Sequence, residues 1–263
     1  MKRVLCPQLP KPHRPVTLPE TEANHLVRVL RLRDGDSVEA IDGQGHSVPA
    51  ILRTNGGPTR LELATASASG SAPAVREDAP GTVIPLALEI AILKGDAMEW
   101  VVEKAVELGV RSLHPAMTAH TVVQVKTKGP EAFRERWQKI ADQALKQCGR
   151  LERMQVELPR TLAEIITQHA ASATVPRYWC DEAAGPAAPE LGQHLRAATP
   201  TEVRLLIGPE GGWSEEAREW LGRSAGALRI QLGPLVLRAE TAALYGMSLA
   251  ASALRAGVHA GAH

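Results

Sequence analysis

Short apolar runs alternate with amphipathic segments from about residue 83 to the end of this chain. Val83 to Leu93 is strongly apolar and predicts a strand. Asp96 then stands at the expected N-cap of a helix. Met98, Val101, Val102, Ala105 and Leu108 form its apolar face, and Glu99, Glu103 and Glu107 its solvent face. Gly109 is placed to end that helix in the left-handed conformation. The pattern continues with a strand near Ser112 to Ala116, a long helix from Pro130 to about Cys148 and a helix near Thr161 to His169. A strand near Thr174 to Cys180 and a helix near Glu190 to Ala197 follow. Leu205, Leu206 and Ile207 read as a strand buried on both faces. Ser214 opens the next helix, with Glu215 and Glu216 in its first turn, where the helix dipole favours negative charge. Another short strand starts near Leu228, and an Ala/Leu-rich helix runs from about Glu240 to Arg255. Alternation of this kind predicts an α/β domain whose parallel sheet is covered on both faces.

The first part of the chain has a different rhythm. Ser37 to Ile41, His46 to Leu52 and Arg60 to Ala64 are short β-like runs, and Asp42-Gly43-Gln44-Gly45 between two of them reads as a hairpin turn. A helix from about Glu20 to Leu30 precedes them. Residues 66 to 81 are small, polar and Pro-bearing, as in a linker or mobile loop. The expected organisation is a small β-barrel over 1–70, a linker over 71–82 and the α/β domain over 83–263.

Composition narrows the function classes. A hydrophobic fraction of 44% supports a core, and with aromatics at 3% that core must be aliphatic. No run has the length needed to cross a bilayer, and no N-terminal apolar stretch resembles a signal peptide, so no membrane association is expected. Cys6, Cys148 and Cys180 are scattered, which argues against disulfides and structural zinc and fits a reducing cytoplasm. The histidines, among them His13, His46, His114 and His194, show no metal-ligand spacing, so no metal is expected. A net charge of +1 means that nucleic-acid binding would need a local basic patch.

Two loops carry the candidate chemistry. Ile207-Gly208-Pro209-Glu210-Gly211-Gly212 follows one buried strand, and Leu232-Gly233-Pro234-Leu235-Val236-Leu237 follows another. A strand that breaks into a glycine-rich loop before a helix is where open α/β sheets place ligands. A tight turn without a ligand is the plainer alternative. No Gly-Lys-Ser/Thr follows the first loop, which excludes a P-loop, and no G-x-G-x-x-G follows a strand.

Together the segments 205–214 and 228–242 closely resemble the C-terminal region of SPOUT-class RNA methyltransferases, in particular the RsmE family. Further matching stretches are His25-Leu26-Val27-Arg28-Val29-Leu30-Arg31, Lys94-Gly95-Asp96-Ala97-Met98-Glu99-Trp100, Glu103 to Val110, Arg136 to Ile140 and Gln147-Cys148-Gly149-Arg150. Their common order makes the resemblance specific. The chain departs from the family pattern at His120, where Arg is usual, at Gln143 and Lys146, where acids are usual, and at Ala217, where Glu would complete a capping box.

The resemblance implies a PUA-like barrel before a SPOUT domain with a trefoil knot. It implies S-adenosylmethionine as cofactor, N3 of a uridine in 16S ribosomal RNA within the small ribosomal subunit as substrate, and a cytoplasmic homodimer. The cofactor would lie against Ile207, Gly208, Pro209, Glu210, Gly211, Gly212, Leu232, Gly233, Leu235 and Leu237. For the side chains of Leu235 and Leu237 ordinary core packing is an equal alternative. N3 of uridine carries a proton at neutral pH, so the site needs a base or a cation that favours the anion. Arg238 is suited to hold a phosphate or to stabilise charge on a uracil oxygen. Glu240 is suited to accept the proton or to orient Arg238; a structural ion pair and a helix N-terminal acid are the alternatives. Glu210, an acid inside the loop, is also open to satisfying backbone N–H groups. His25, Arg28, Arg31 and Arg33 form an expected RNA-contact face, against the alternative of a solvated face balanced by Asp34 and Asp36. Lys94 and Arg150 are further expected RNA contacts. A non-catalytic RNA-binding protein is the rival reading.

Overall fold

A computed structural model describes residues 1–6, 8–64, 75–79, 81–121, 125, 129–168, 175–224 and 226–260. The chain divides into two units, Met1–Ala79 with Leu145–Arg153, and Pro80–Ala144 with Met154–His263.

The first unit is a six-stranded sheet of β1 (Lys2–Leu5), β2 (Val16–Thr17), β3 (Ser37–Ile41), β4 (His46–Arg53), β5 (Arg60–Leu63) and β6 (Arg76–Glu77). The order is β1-β3-β4-β5-β2, with β6 on β4; only the β1–β3 pair is parallel. The expected hairpin turn joins β3 to β4, and the Asp42 carboxylate fixes it by accepting the backbone N–H of Gln44 at 2.7 Å and of His46 at 3.1 Å. Val4, Leu26, Val38, Ala40, Ala50, Leu52 and Leu61 form the core.

Three features of this unit differ from expectation. Glu20–Asn24 is α-helical (α1), but His25–Val29 continues as a π-helix, and Arg31 beyond it has φ 55°. β1 escaped the pattern because Lys2 and Arg3 look like a solvated start, whereas Arg3 Nε donates to the buried Glu39 carboxylate at 2.8 Å. β6 falls inside the expected linker, since Arg76 also pairs with Glu39; residues 71–74 and 80 of that linker lie outside the described residues.

The second unit is built on a parallel sheet of β7 (Ile84–Ala91), β8 (Val110–Met117), β9 (Gln155–Val156), β10 (Arg160–Thr161), β11 (Arg177–Cys180), β12 (Val203–Ile207) and β13 (Ala227–Ile230). The order is β10-β8-β7-β12-β11-β13, with β9 on β8, and every pair is parallel. Its helices are α2 (Asp96–Glu107), α3 (Pro130–Cys148), α4 (Leu162–Gln168), α5 (Leu191–Ala198), α6 (Glu215–Arg223) and α7 (Ala239–Ala260). The last turn of α3 belongs to the first unit. Leu205 packs toward Gly246 of α7, while its neighbour Leu206 joins Leu162, Ile166 and Leu221 of α4 and α6. The sheet is therefore covered on both faces, as its alternating pattern requires. The N-cap of α2 is Gly95, at φ 52°, and not Asp96, whose carboxylate instead sits in the first turn. Gly109 follows the last turn at φ 88°, as expected.

One charge in the apolar β7 run is fully buried. Glu89 accepts from Arg177 Nε at 2.7 Å and Nη2 at 3.1 Å, and from Arg204 Nη1 at 3.5 Å. These residues tie β7, β11 and β12 together across the sheet. Removing one member of such a cluster strands the other charges in low dielectric, at about 3–5 kcal/mol. Glu89→Ala is expected to lower unfolding stability on that scale in urea titration. A loss below about 1 kcal/mol, the range of exposed pairs, would show that the cluster is not desolvated.

Candidate functional site

β12, β11 and β13 are consecutive parallel neighbours, so their C-terminal ends open on the same edge of the sheet. All five residues of β12 are buried. The chain leaves the sheet at Gly208, where a Cβ would lie 2.9 Å from Cε2 of Trp213. The missing side chain lets Trp213 fold back beneath its own loop, almost wholly buried, and donate its indole N–H to the Cys180 carbonyl at 2.8 Å. Gly212 turns the loop at φ 71°, its N–H donating to the Pro209 carbonyl at 3.0 Å. Ser214 caps α6 by accepting the N–H of Ala217 at 3.2 Å. Ala217 has no carboxylate to return the bond, so the cap is one-sided.

Two other segments hold this loop. The Glu210 carboxylate accepts the backbone N–H of Lys94 at 2.8 Å. The His120 ring lies 2.9 Å through Nδ1 from the Gly212 carbonyl; a carbonyl only accepts, so Nδ1 carries the proton. The second loop leaves β13 at Gln231, whose side-chain amide donates to the Ala188 carbonyl at 2.7 Å. Leu235 and Val236 then stand out, 76% and 77% exposed.

A cavity of about 870 Å³ lies between the two loops. It brings together every residue assigned to the cofactor, namely Ile207, Gly208, Pro209, Glu210, Gly211, Gly212, Leu232, Gly233, Leu235 and Leu237, with Arg238 and Glu240. Leu235 is not core, since most of it is open to solvent. Arg238 is exposed and Glu240 half-buried in the first turn of α7. Among the described residues no ion pair joins them.

The expected RNA contacts fall in both units. His25 is half-buried and Arg28, Arg31 and Arg33 are exposed, all in the first unit. Lys94 is exposed beside the first glycine loop. Arg150 runs against expectation. It is 2% exposed, and burial holds its guanidinium below the usual arginine range, so the side chain is withheld from a surface ligand.

Asp181 and Glu182 also line the cavity and escaped the sequence reading. The available signal was an acidic pair directly after the apolar Tyr178-Trp179-Cys180. Arg218 Nε lies 3.2 Å from both Asp181 oxygens, and Arg229 Nε donates to Asp181 at 2.8 Å. Arg218 Nη2 reaches on to Glu182 at 2.7 Å. Cys180 is not a nucleophile here: burial, helped by the charge of Asp181, pushes its thiol up to about 12.

Residues 81–251 match the RNA methyltransferase domain, and residues 18–54 match the RNA methyltransferase PUA domain. The chain is 30% identical to ribosomal RNA small subunit methyltransferase E of Synechocystis over 86% of this chain and 69% of that one. It is also 30% identical to the Bacillus subtilis enzyme of that name, over 86% of each. A Legionella pneumophila methyltransferase solved with bound cofactor SAM superposes with a TM-score of 0.79 at 26% identity, covering 95% of this chain and 97% of that one. Ribosomal RNA small subunit methyltransferase E from Neisseria gonorrhoeae, bound to S-adenosyl methionine, gives 0.78 at 25% identity, covering 94% and 96%. Because the likeness runs through both units and not through the glycine loops alone, the chain belongs to the RsmE family of RNA methyltransferases.

Proposed function

We propose that this protein methylates N3 of a uridine in 16S ribosomal RNA, with S-adenosylmethionine as the methyl donor. The observation that carries this reading is the cavity between two glycine-bearing loops, with Arg238 and Glu240 on the same lining. Its volume lies within the ~300–1,000 Å³ of small-molecule sites. Backbone groups of 207–212 and 232–237 suit a polar nucleoside, and Ile207, Leu232 and Leu237 supply apolar wall. The cofactor supplies an activated methyl group, and what remains for the chain is alignment of the acceptor.

Arg238, free of an ion pair among the described residues, is placed to hold a phosphate or to stabilise charge on a uracil oxygen. Glu240 accepts the N3 proton or orients Arg238. The first unit serves as the PUA-like RNA-binding unit through His25, Arg28, Arg31 and Arg33, with Lys94 a further contact from the second unit. Two local features support that face. A π-helix is rare and concentrates at functional sites, and His25–Val29 is one. Val27 and Val29 stand 39% and 65% exposed beside Arg28, offering apolar surface among cations. The trefoil knot, cytoplasmic placement and action on the small ribosomal subunit complete the reading. Among the described residues no helix is long and apolar enough to cross a membrane. A homodimer belongs to it too: Trp100 of α2 and Tyr245 of α7 are exposed aromatics of the second unit, the kind of surface that a second subunit covers. Light scattering at micromolar concentration is expected to give about twice 28.2 kDa, and the monomer mass would refute the dimer.

Calorimetry with a chelator present is expected to show saturable binding of S-adenosylmethionine. Absence of heat at millimolar ligand would favour a non-catalytic RNA-binding protein, and recovery only with a divalent ion would overturn the metal-free site. Gly208→Ala drives a methyl into the bonded indole of Trp213, and overpacking of this kind costs about 1–3 kcal/mol. Its affinity for the cofactor is expected to fall about tenfold or more; unchanged affinity would mean that the loop yields freely.

RNA binding and transfer should separate. Arg28→Ala with Arg31→Ala is expected to weaken RNA binding and flatten its salt dependence while cofactor affinity holds, because fewer counterions are released. Arg238→Ala is expected to keep RNA binding and slow single-turnover methylation about a hundredfold or more. Near-normal rates for Arg238→Ala and Glu240→Gln would remove both from the chemistry. An unchanged salt slope in the double arginine variant would make the N-terminal face ordinary solvated surface.

A further inference from the structure

We propose that Glu182 binds the ribose hydroxyls of the adenosyl ligand in this cavity; the proposal rests on the cavity being an S-adenosylmethionine site. Four observations lead to it. The first is topological. β11 lies between β12 and β13, the strands that feed the two glycine loops, so the residues just beyond its end sit between those loops. Asp181 and Glu182 are those residues, and both line the cavity. An acid at the end of the strand beside a glycine-loop strand is the placement that brings a carboxylate to ribose hydroxyls in dinucleotide-binding sheets.

The second observation is steric. A Cβ on Gly212 would overlap Oε1 of Glu182, so the carboxylate occupies the space that a side chain at 212 would fill. The glycine at this position, besides allowing its φ of 71°, admits the acid against the loop backbone.

The third is how the acid is held. Trp179 carries the Arg229 guanidinium 5.4 Å from its ring centroid. Arg229 and Arg218 both bind the fully buried Asp181 carboxylate, and Arg218 reaches on to Glu182 Oε1 at 2.7 Å. This run of alternating charges begins in packed protein and ends at the cavity wall. It fixes Glu182 in place, although its side chain is 37% exposed.

The fourth is spare capacity. Oε2 of Glu182 accepts no hydrogen bond among the described residues, while Oε1 is taken by Arg218. An ionised carboxylate only accepts, so its partner must donate. A ribose diol offers two O–H donors. A phosphate in the same place would be repelled, which would set the site against nucleotides phosphorylated on the ribose. The cofactor's ammonium group is the competing donor, and a ligand without it separates the two.

The test is calorimetry on the full chain with S-adenosylhomocysteine, 5′-methylthioadenosine, which keeps the ribose but lacks the amino-acid end, and the 2′-deoxy and 3′-deoxy forms of the latter. Glu182→Ala is expected to weaken S-adenosylhomocysteine and 5′-methylthioadenosine alike by about tenfold to a hundredfold, the scale of a hydrogen bond to a charged group. At least one deoxy form, already weak on the native protein, should lose less than about twofold on the same substitution, because its partner hydroxyl is gone. Glu182→Gln, which keeps the shape and one acceptor, should fall between, with unchanged circular dichroism. Equal losses for all four ligands would overturn the proposal and make Glu182 a prop for the loop. A loss for S-adenosylhomocysteine alone would assign Glu182 to the ammonium group and likewise overturn it. Failure of the unsubstituted protein to bind S-adenosylhomocysteine at all would instead strike the cofactor reading itself.

Discussion

Trp213 can lie beneath its own loop only because Gly208 has no side chain, and its indole N–H then reaches the Cys180 carbonyl at 2.8 Å. That bond joins the loop after β12 to the end of β11, the neighbouring strand. The rest of the first loop is arranged around it. With the indole seated, Gly212 turns back over Pro209, Ser214 is set to cap α6, and Glu210 extends to the backbone of Lys94. His120 closes the outer side against the Gly212 carbonyl. A loop of glycines would ordinarily spend much entropy on becoming ordered. Here bonds from several separate elements order it in advance, and a ligand meets backbone groups already aimed.

The second loop is built on another principle. After Gln231 anchors it, Leu235 and Val236 face solvent and Arg238 is exposed. On the proposed reading this asymmetry divides the work. A rigid wall holds the small, invariant ligand, and an open wall presents a cation and an acid to a large substrate whose approach must not be blocked.

The sequence pattern made most of the second unit legible, because buried parallel strands and amphipathic helices announce themselves by period. Both glycine loops and the helix cap at Ser214 were visible for the same reason. What stayed hidden involved residues whose environment is set by distant partners. Glu89 looks like an interruption of an apolar strand until Arg177 and Arg204 are brought to it from more than eighty residues away. Arg150 reads as a surface cation until the fold buries it. The π-helix at His25–Val29 has no periodic signature distinct from an α-helix over so few residues. Glu182 lacked a motif altogether; its meaning comes from strand order, which places β11 between two segments far from it in sequence.

β11 shows how the two kinds of information combine in one strand. Successive side chains point to opposite faces. Arg177, Trp179 and Asp181 share one face, where they meet Glu89, then Arg229, then Arg218 together with Arg229. Tyr178 faces the other way and packs edge-on against His194 of α5, the ring centroids 5.4 Å apart. One face of a short strand thus runs from a buried ion cluster at its start to a pair of acids at the cavity. Each charge is met by a partner from a different neighbouring element. Such a strand cannot be read as hydrophobic-in, polar-out, because both faces are interior. The charges on it are tolerable because each is paired with an opposite charge, in one cluster at each end of the strand. At the strand's start the partner is Glu89, and beyond its end the run of charges reaches Glu182, whose Oε2 accepts no hydrogen bond among the described residues.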